Sequence, residues 1–119
     1  MMLDWNDYRR QLKTTMGELN RLSPDTLKGY QGLANAHKEG GRLDAKTREL
    51  IALAVAVSLR CDGCITVHTD AAIRHGAAKE EIAEALNVAI TVNAGAALVY
   101  SARVLDAYAQ HPSVAQSSS

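Results

Sequence analysis

Leu50 to Leu59 reads LIALAVAVSL, a run that is apolar on every side of a helix except at Ser58. A helix with no polar face must be covered all round, which places this segment at the centre of whatever the chain builds. The run stops at CDGC, Cys61 to Cys64, with Gly63 as the breaker. A second stretch, Ala85 to Ala102, continues for 18 residues without a charge. It carries Asn87, Thr91, Asn93, Gly95 and Ser101 and is filled out with alanine, so it falls short of a membrane span and reads as part of a buried helix pair.

The material available to cover these segments is small. The 119 residues include 20 alanines, one Trp, four Tyr and no Phe. Small side chains bury little area each, so the composition favours close helix-on-helix packing and a core completed by oligomerisation. The 13 Lys and Arg balance 13 Asp and Glu. No basic excess or basic run exists, which argues against a dedicated nucleic-acid or anionic-membrane binder. The length suits one domain, residues 1–110, followed by a short polar tail, 111–119, expected to be disordered.

Helical punctuation is clear, and no segment holds a period-2 alternation for more than a few residues, so the expected class is all-α with about six helices. Asp4 caps a first helix to about Leu22, with Trp5, Tyr8, Leu12, Met16 and Leu19 on one stripe. Ser23-Pro24 opens a second, expected to end at Gly40-Gly41, and Asp44 caps the third, which contains the apolar run. A fourth continues beyond CDGC to His75 and stops at Gly76, making a central hairpin with the third. Lys79-Glu80-Glu81 starts a fifth, and Asn93 to Gly95 marks an expected break before a last helix ending near Gln110.

Two cysteines are too few and too close for a secreted disulfide framework. The start, MMLDWNDYRRQ, lacks a signal peptide's apolar stretch, so a cytoplasmic location is expected. Cys61 and Cys64 form a C-x-x-C where a helix begins, and the free N–H groups there stabilise a thiolate. On a continuous helix Cys61, Cys64, His68 and His75 fall within an arc of about 60°. Imidazole titrates near neutrality, so His68 could take the thiol proton or pair with the thiolate. Zinc would want four ligands, and a lone C-x-x-C with a histidine four residues on is not a usual zinc spacing, so no metal is expected. His75, beside Gly76, is equally suited to closing the last turn's carbonyls. Glu49 precedes the apolar run; buried with it, the carboxylate could shuttle protons, or it could pair with Arg48 or another arginine. The distance is a constraint: Glu49 lies ~18 Å along a helix from Cys61 and His68 only ~10 Å, so the helices must cross or the first must end early.

These residues carry a resemblance. Leu43 to Leu86 closely resembles the carboxymuconolactone decarboxylase and alkylhydroperoxidase D-like family, in its cysteine-containing branch. The shared signature is Glu, eleven residues, Cys-x-x-Cys, three residues, His, found here as Glu49, Cys61, Cys64 and His68. The resemblance implies an all-α fold assembled into homotrimers or homohexamers, and a thiol peroxidase or disulfide reductase acting on a hydroperoxide or disulfide. It implies Cys64 as the activated thiolate, His68 and Glu49 as its proton relay, Cys61 as the resolving thiol, an external dithiol reductant and no cofactor. Cys61, nearer the helix start, is expected to be the more exposed. One position departs: the best-known hydroperoxidases of the family carry histidine just before the second cysteine, where this chain has Gly63 after Asp62. That removes a proton donor and sets a negative charge beside the thiols. The alternatives are the family's lactone decarboxylation in aromatic catabolism, which needs no dithiol, and a non-catalytic helical oligomer that senses oxidation.

Overall fold

The computed structural model describes residues 2–115, which contain six helices and one further helical turn, with no strand among them. The helices are α1 Trp5–Leu22, α2 Pro24–Asn35, α3 Ala45–Leu59, α4 Asp62–Arg74, α5 Lys79–Tyr100 and α6 Ala102–Gln110. The turn is α7, Pro112–Ala115, so the expected disordered tail begins with helix; residues 116–119 of that tail lie outside the described residues.

Most helix starts follow their capping chemistry. The Asp4 carboxylate accepts the Asp7 N–H at 3.0 Å, and that of Asp44 accepts the Thr47 N–H at 2.8 Å. The expected end of α2 is corrected: it stops at Asn35 rather than at Gly40-Gly41. His37 takes a left-handed φ of 65°, which a continuing helix does not allow, and the chain turns through 36–40. A Cβ at Gly41 would collide with the His37 carbonyl oxygen, so this turn requires glycine there. Glycine is equally needed past α4, where Gly76 has φ +84°.

The expected break at Asn93 to Gly95 is also corrected. α5 runs through all three residues to Tyr100, and the chain departs from regular helix only at Ser101. Asn93 is tolerated because its Nδ2 donates to the Ala89 carbonyl and to Ser58 Oγ, each at 2.7 Å. Ser58, the one polar residue in the apolar run, in turn donates to Ala54 O. The polar intruders of the two apolar helices thus satisfy each other across α3 and α5.

The core lies where α3 packs against α4 and α5. It consists of Leu53, Ala56, Ala71, Ala72 and Ala89, with Thr66 as the buried polar residue. Thr66 Oγ1 donates to the Trp5 carbonyl at 3.3 Å and ties α1 to α4. Within the single chain, however, α3 is not covered all round: Ile51, Val55 and Leu59 remain about half exposed or more. The buried-pair reading of Ala85 to Ala102 fails more completely. Among the described residues of α5 only Ala89 is buried, while Leu98 and Val99 are 76% and 74% exposed. Lys79–Gln110 is long and apolar enough to cross a membrane by length and composition, yet only 6% of its most apolar window is buried inside the chain. The radius of gyration is 20.7 Å, against about 13–14 Å for a compact domain of this length. The reason is geometric: α5 packs on α3, but among the described residues α6 meets only α5 and the turn α7.

Candidate functional site

The end of α3 sets up the thiol pair. Arg60 adopts a left-handed conformation, φ 54° and ψ 48°, and the Cys61 N–H bonds back to Ala56 O at 3.1 Å. This closes α3 with a reversal of direction and places Cys61 as the N-cap of α4. In that position the Cys61 sulfur accepts the Cys64 N–H at 3.1 Å, the role an oxygen plays at most helix starts. Cys61 and Cys64 are joined as a disulfide, with Cα atoms 5.2 Å apart. Both residues are half-buried.

His68 follows one turn along α4, and its Nδ1 lies 2.7 Å from Glu49 Oε2. A carboxylate accepts, so Nδ1 carries the proton and Nε2 is the nitrogen left to take or give one. Glu49 stands ten residues before the end of α3, ~15 Å, and His68 six residues into α4, ~9 Å; their side chains span the difference. The carboxylate therefore hydrogen-bonds to the histidine rather than to the thiols. Glu49 is not buried outright, at 21% side-chain exposure, and His68 is 31% exposed. The arginine alternative for Glu49 is not realised, because Arg48 donates to the Ala36 carbonyl at 2.9 Å. His75 lies at the C-cap of α4, its own N–H bonded to Ala71 O, away from the Glu49–His68 pair.

Sequence reasoning missed what covers Gly63. A Cβ built there would stand 3.1 Å from Leu12 Cδ2, so α1 lies directly over this position. The signal was available in the α1 stripe, which includes Leu12, but not its partner. Beyond this contact, a cavity of about 420 Å³ separates the start of α1 from α4, lined by Trp5, Arg9, Ile65, Thr69, Asp70 and Ile73 among others. Neither cysteine, nor His68, lines it. Among the described residues no three His, Cys, Asp or Glu side chains gather as a metal site would require.

Comparison with known proteins gives a consistent result. The family model for the carboxymuconolactone decarboxylase family matches residues 24–107. An uncharacterized protein of Haemophilus influenzae is 50% identical over 108 residues, covering 91% of this chain and 96% of that protein. An uncharacterized protein of Cupriavidus necator is 37% identical over 105 residues, 88% of this chain and 93% of the other. Among solved structures, an apo carboxymuconolactone decarboxylase family protein from Legionella pneumophila superposes with a TM-score of 0.71 at 34% identity, over 87% of this chain and 93% of that one. A Methanobacterium thermoautotrophicum protein superposes with a TM-score of 0.66 at 28% identity, over 72% of this chain and 97% of that one. The match extends across α2 to α6, well beyond the signature that first suggested it, and the chain belongs to the carboxymuconolactone decarboxylase family.

Proposed function

We propose that the protein is a thiol–disulfide oxidoreductase that reduces hydroperoxides or disulfides at the expense of an external dithiol, with Cys61 and Cys64 as the redox pair. The observation that carries this reading is the Glu49–His68 hydrogen bond one turn along α4 from the paired cysteines. In the reduced protein His68, held by Glu49, takes the Cys64 proton. The thiolate attacks one peroxide oxygen, the O–O bond breaks, and the departing alkoxide collects that proton as an alcohol. Cys64 is left as a sulfenic acid; the Cys61 thiol attacks its sulfur, water leaves, and the disulfide forms. A dithiol then reduces the pair by two exchanges and is itself oxidised to a disulfide.

The contact over Gly63 favours disulfide exchange as the stronger activity. Peroxide reduction must deliver a proton to an alkoxide, and Leu12 occupies the side from which a second imidazole would supply it. Exchange between thiols and disulfides needs less proton traffic.

The working form is proposed to be a homotrimer or homohexamer in the cytoplasm, a compartment that supplies dithiols. Exposed Leu98, Val99, Val104 and Leu105 and the extended shape support assembly, because a lone soluble chain rarely exposes an apolar surface of that extent.

A redox titration of the cysteine pair, combined with hydroperoxide and disulfide reduction assays using several dithiol donors, tests the reading. Cys64→Ser is expected to abolish both activities, and Cys61→Ser to leave a trappable sulfenate or mixed disulfide. Turnover at the native rate in both variants would overturn it.

A further inference from the structure

The turn between α2 and α3 borders a second cavity, its surface more apolar than polar, that the thiol chemistry does not use. It measures about 240 Å³, is open to solvent, and is lined by His37, Gly41, Arg42, Leu43 and Arg48. No carboxylate lines it. Arg48 is half-buried and held in place by its bond to Ala36 O, which occupies one of the five N–H donors of a guanidinium. Arg42 has no hydrogen-bond or ion-pair partner among the described residues.

Of the nearby acids, Glu39 is exposed and does not line the cavity, and the other two are engaged elsewhere. Asp44 accepts the Thr47 N–H, and Glu81 is held 2.8 Å from Lys46 Nζ while also accepting the Ala78 N–H. Residues 36–48 carry four cations, Lys38, Arg42, Lys46 and Arg48, against two anions, Glu39 and Asp44, and with Lys46 paired to Glu81 a local excess of +1 remains in a chain of net charge zero. The backbone keeps the cavity open rather than letting it collapse. The left-handed His37 and the close approach of Gly41 to the His37 carbonyl fix the turn before Arg42.

We propose that this cavity binds a small oxyanion, a phosphate or carboxylate group, between the guanidinium groups of Arg42 and Arg48. Two planar forks with spare N–H donors match the oxygens of such a group, and hydrogen bonds of this charged kind are the stronger class. The volume lies below the range for drug-sized ligands and suits a single small anion with some of its water. Side chains do the binding: Arg42 and Arg48 are the permanently cationic residues that line the cavity. The cavity and the disulfide sit toward opposite ends of α3, with Arg48 and Leu59 ~16 Å apart along the helix, so the anion is not the group that meets the thiols.

The test titrates inorganic phosphate and, separately, succinate into the full-length oxidised protein at constant ionic strength, read by backbone amide shifts in NMR. Saturable shifts confined to residues 36–48 are expected. Arg42→Gln should weaken binding at least about tenfold, as loss of a charge-assisted hydrogen bond does, and Arg42→Lys should restore part of it. Arg42 is exposed, so its replacement leaves the fold intact, and the unchanged redox midpoint of the cysteine pair verifies this. A preference for phosphate or for succinate identifies which oxyanion the site takes, and either supports the proposal. Non-saturating shifts for both anions, or saturable binding that Arg42→Gln leaves unchanged, would overturn it.

Discussion

The α3–α4 hairpin and the α5–α6 rod are built from nearly the same residues and end in opposite conditions. Both are rich in alanine, valine and leucine, yet the hairpin contains Leu53, Ala56, Ala71 and Ala72 in the buried core, whereas the rod leaves Leu98, Val99, Val104 and Leu105 at 69% exposure or more. The hairpin is closed by its own chain, because Arg60 and Cys61 reverse it sharply enough for α4 to lie against α3. The rod enters the core where α5 packs on α3 and buries Ala89, but among the described residues its α6 meets only α5 and the turn α7. Apolar composition alone therefore does not decide burial; a neighbouring element to pack against does. The hairpin can hold a defined thiol geometry in one chain, and the rod is surface that a second copy is proposed to cover.

The sharpest way to break this comparison is to cut the same side chain from each region. Leu53→Ala should cost about 2–5 kcal/mol in chemical denaturation, since it leaves a cavity in a packed core. Leu98→Ala should change the unfolding of dilute, dissociated chains by no more than about 0.5 kcal/mol, the usual bound at an exposed site. Equal losses would show that the rod is as well packed as the hairpin. Next in size is catalysis. Glu49→Gln keeps the shape but removes the charge that holds His68, and should lower thiol-dependent turnover at least about 100-fold with little change in melting temperature. A parallel fall in both would make the pair a stabilising contact instead.

Overpacking gives a smaller effect. Ala72 is fully buried, and Ala72→Leu should destabilise by about 1–3 kcal/mol, measured by thermal unfolding, whereas Ala97→Leu on the exposed rod should not. Arg60→Gly should work the other way. It relieves a left-handed residue with a Cβ at the hairpin reversal and should raise stability by up to about 1 kcal/mol.

The smallest effect is electrostatic. Glu81 is held below its ordinary value by the Ala78 N–H and then by Lys46, and Asp44 by the Thr47 N–H. Groups depressed in the folded state add stability above their unfolded values and lose it as pH falls through the folded ones. A modest loss of stability on acidification below the ordinary carboxylate range is therefore expected, reduced in Glu81→Gln. Lys46 is raised, chiefly by its hydrogen bond to Glu81, so its contribution holds below the ordinary lysine value and disappears as pH climbs through the raised one. Urea midpoints measured across pH check both signs.

Much of the hairpin was legible in advance, for local reasons. Asp44 as a cap, the reversal around CDGC, the end at Gly76 and the shared face of Cys64 and His68 depend on residues within a few positions of each other. The rod misled because its cues had long-range answers. Asn93 resembles a break until Ser58, 35 residues earlier, is seen to accept its side chain. The α2 terminus misled for a different reason: His37 turns left-handed three residues before the left-handed Gly40, so the helix ends ahead of the glycines.

By itself the sequence determined the helical class and the order and most starts of the helices, and it carries the family signature of Glu49, Cys61, Cys64 and His68. The helices follow from spacing, capping and periodicity, which act over one or two turns; the signature rests on the resemblance. Only the tertiary structure decided that Glu49 meets His68 rather than an arginine or the thiols, that Leu12 covers Gly63, and that the charge-free stretch is exposed in the single chain. Those outcomes depend on how far apart helices lie and how they are aligned, and no local pattern encodes a distance between segments that only packing brings together.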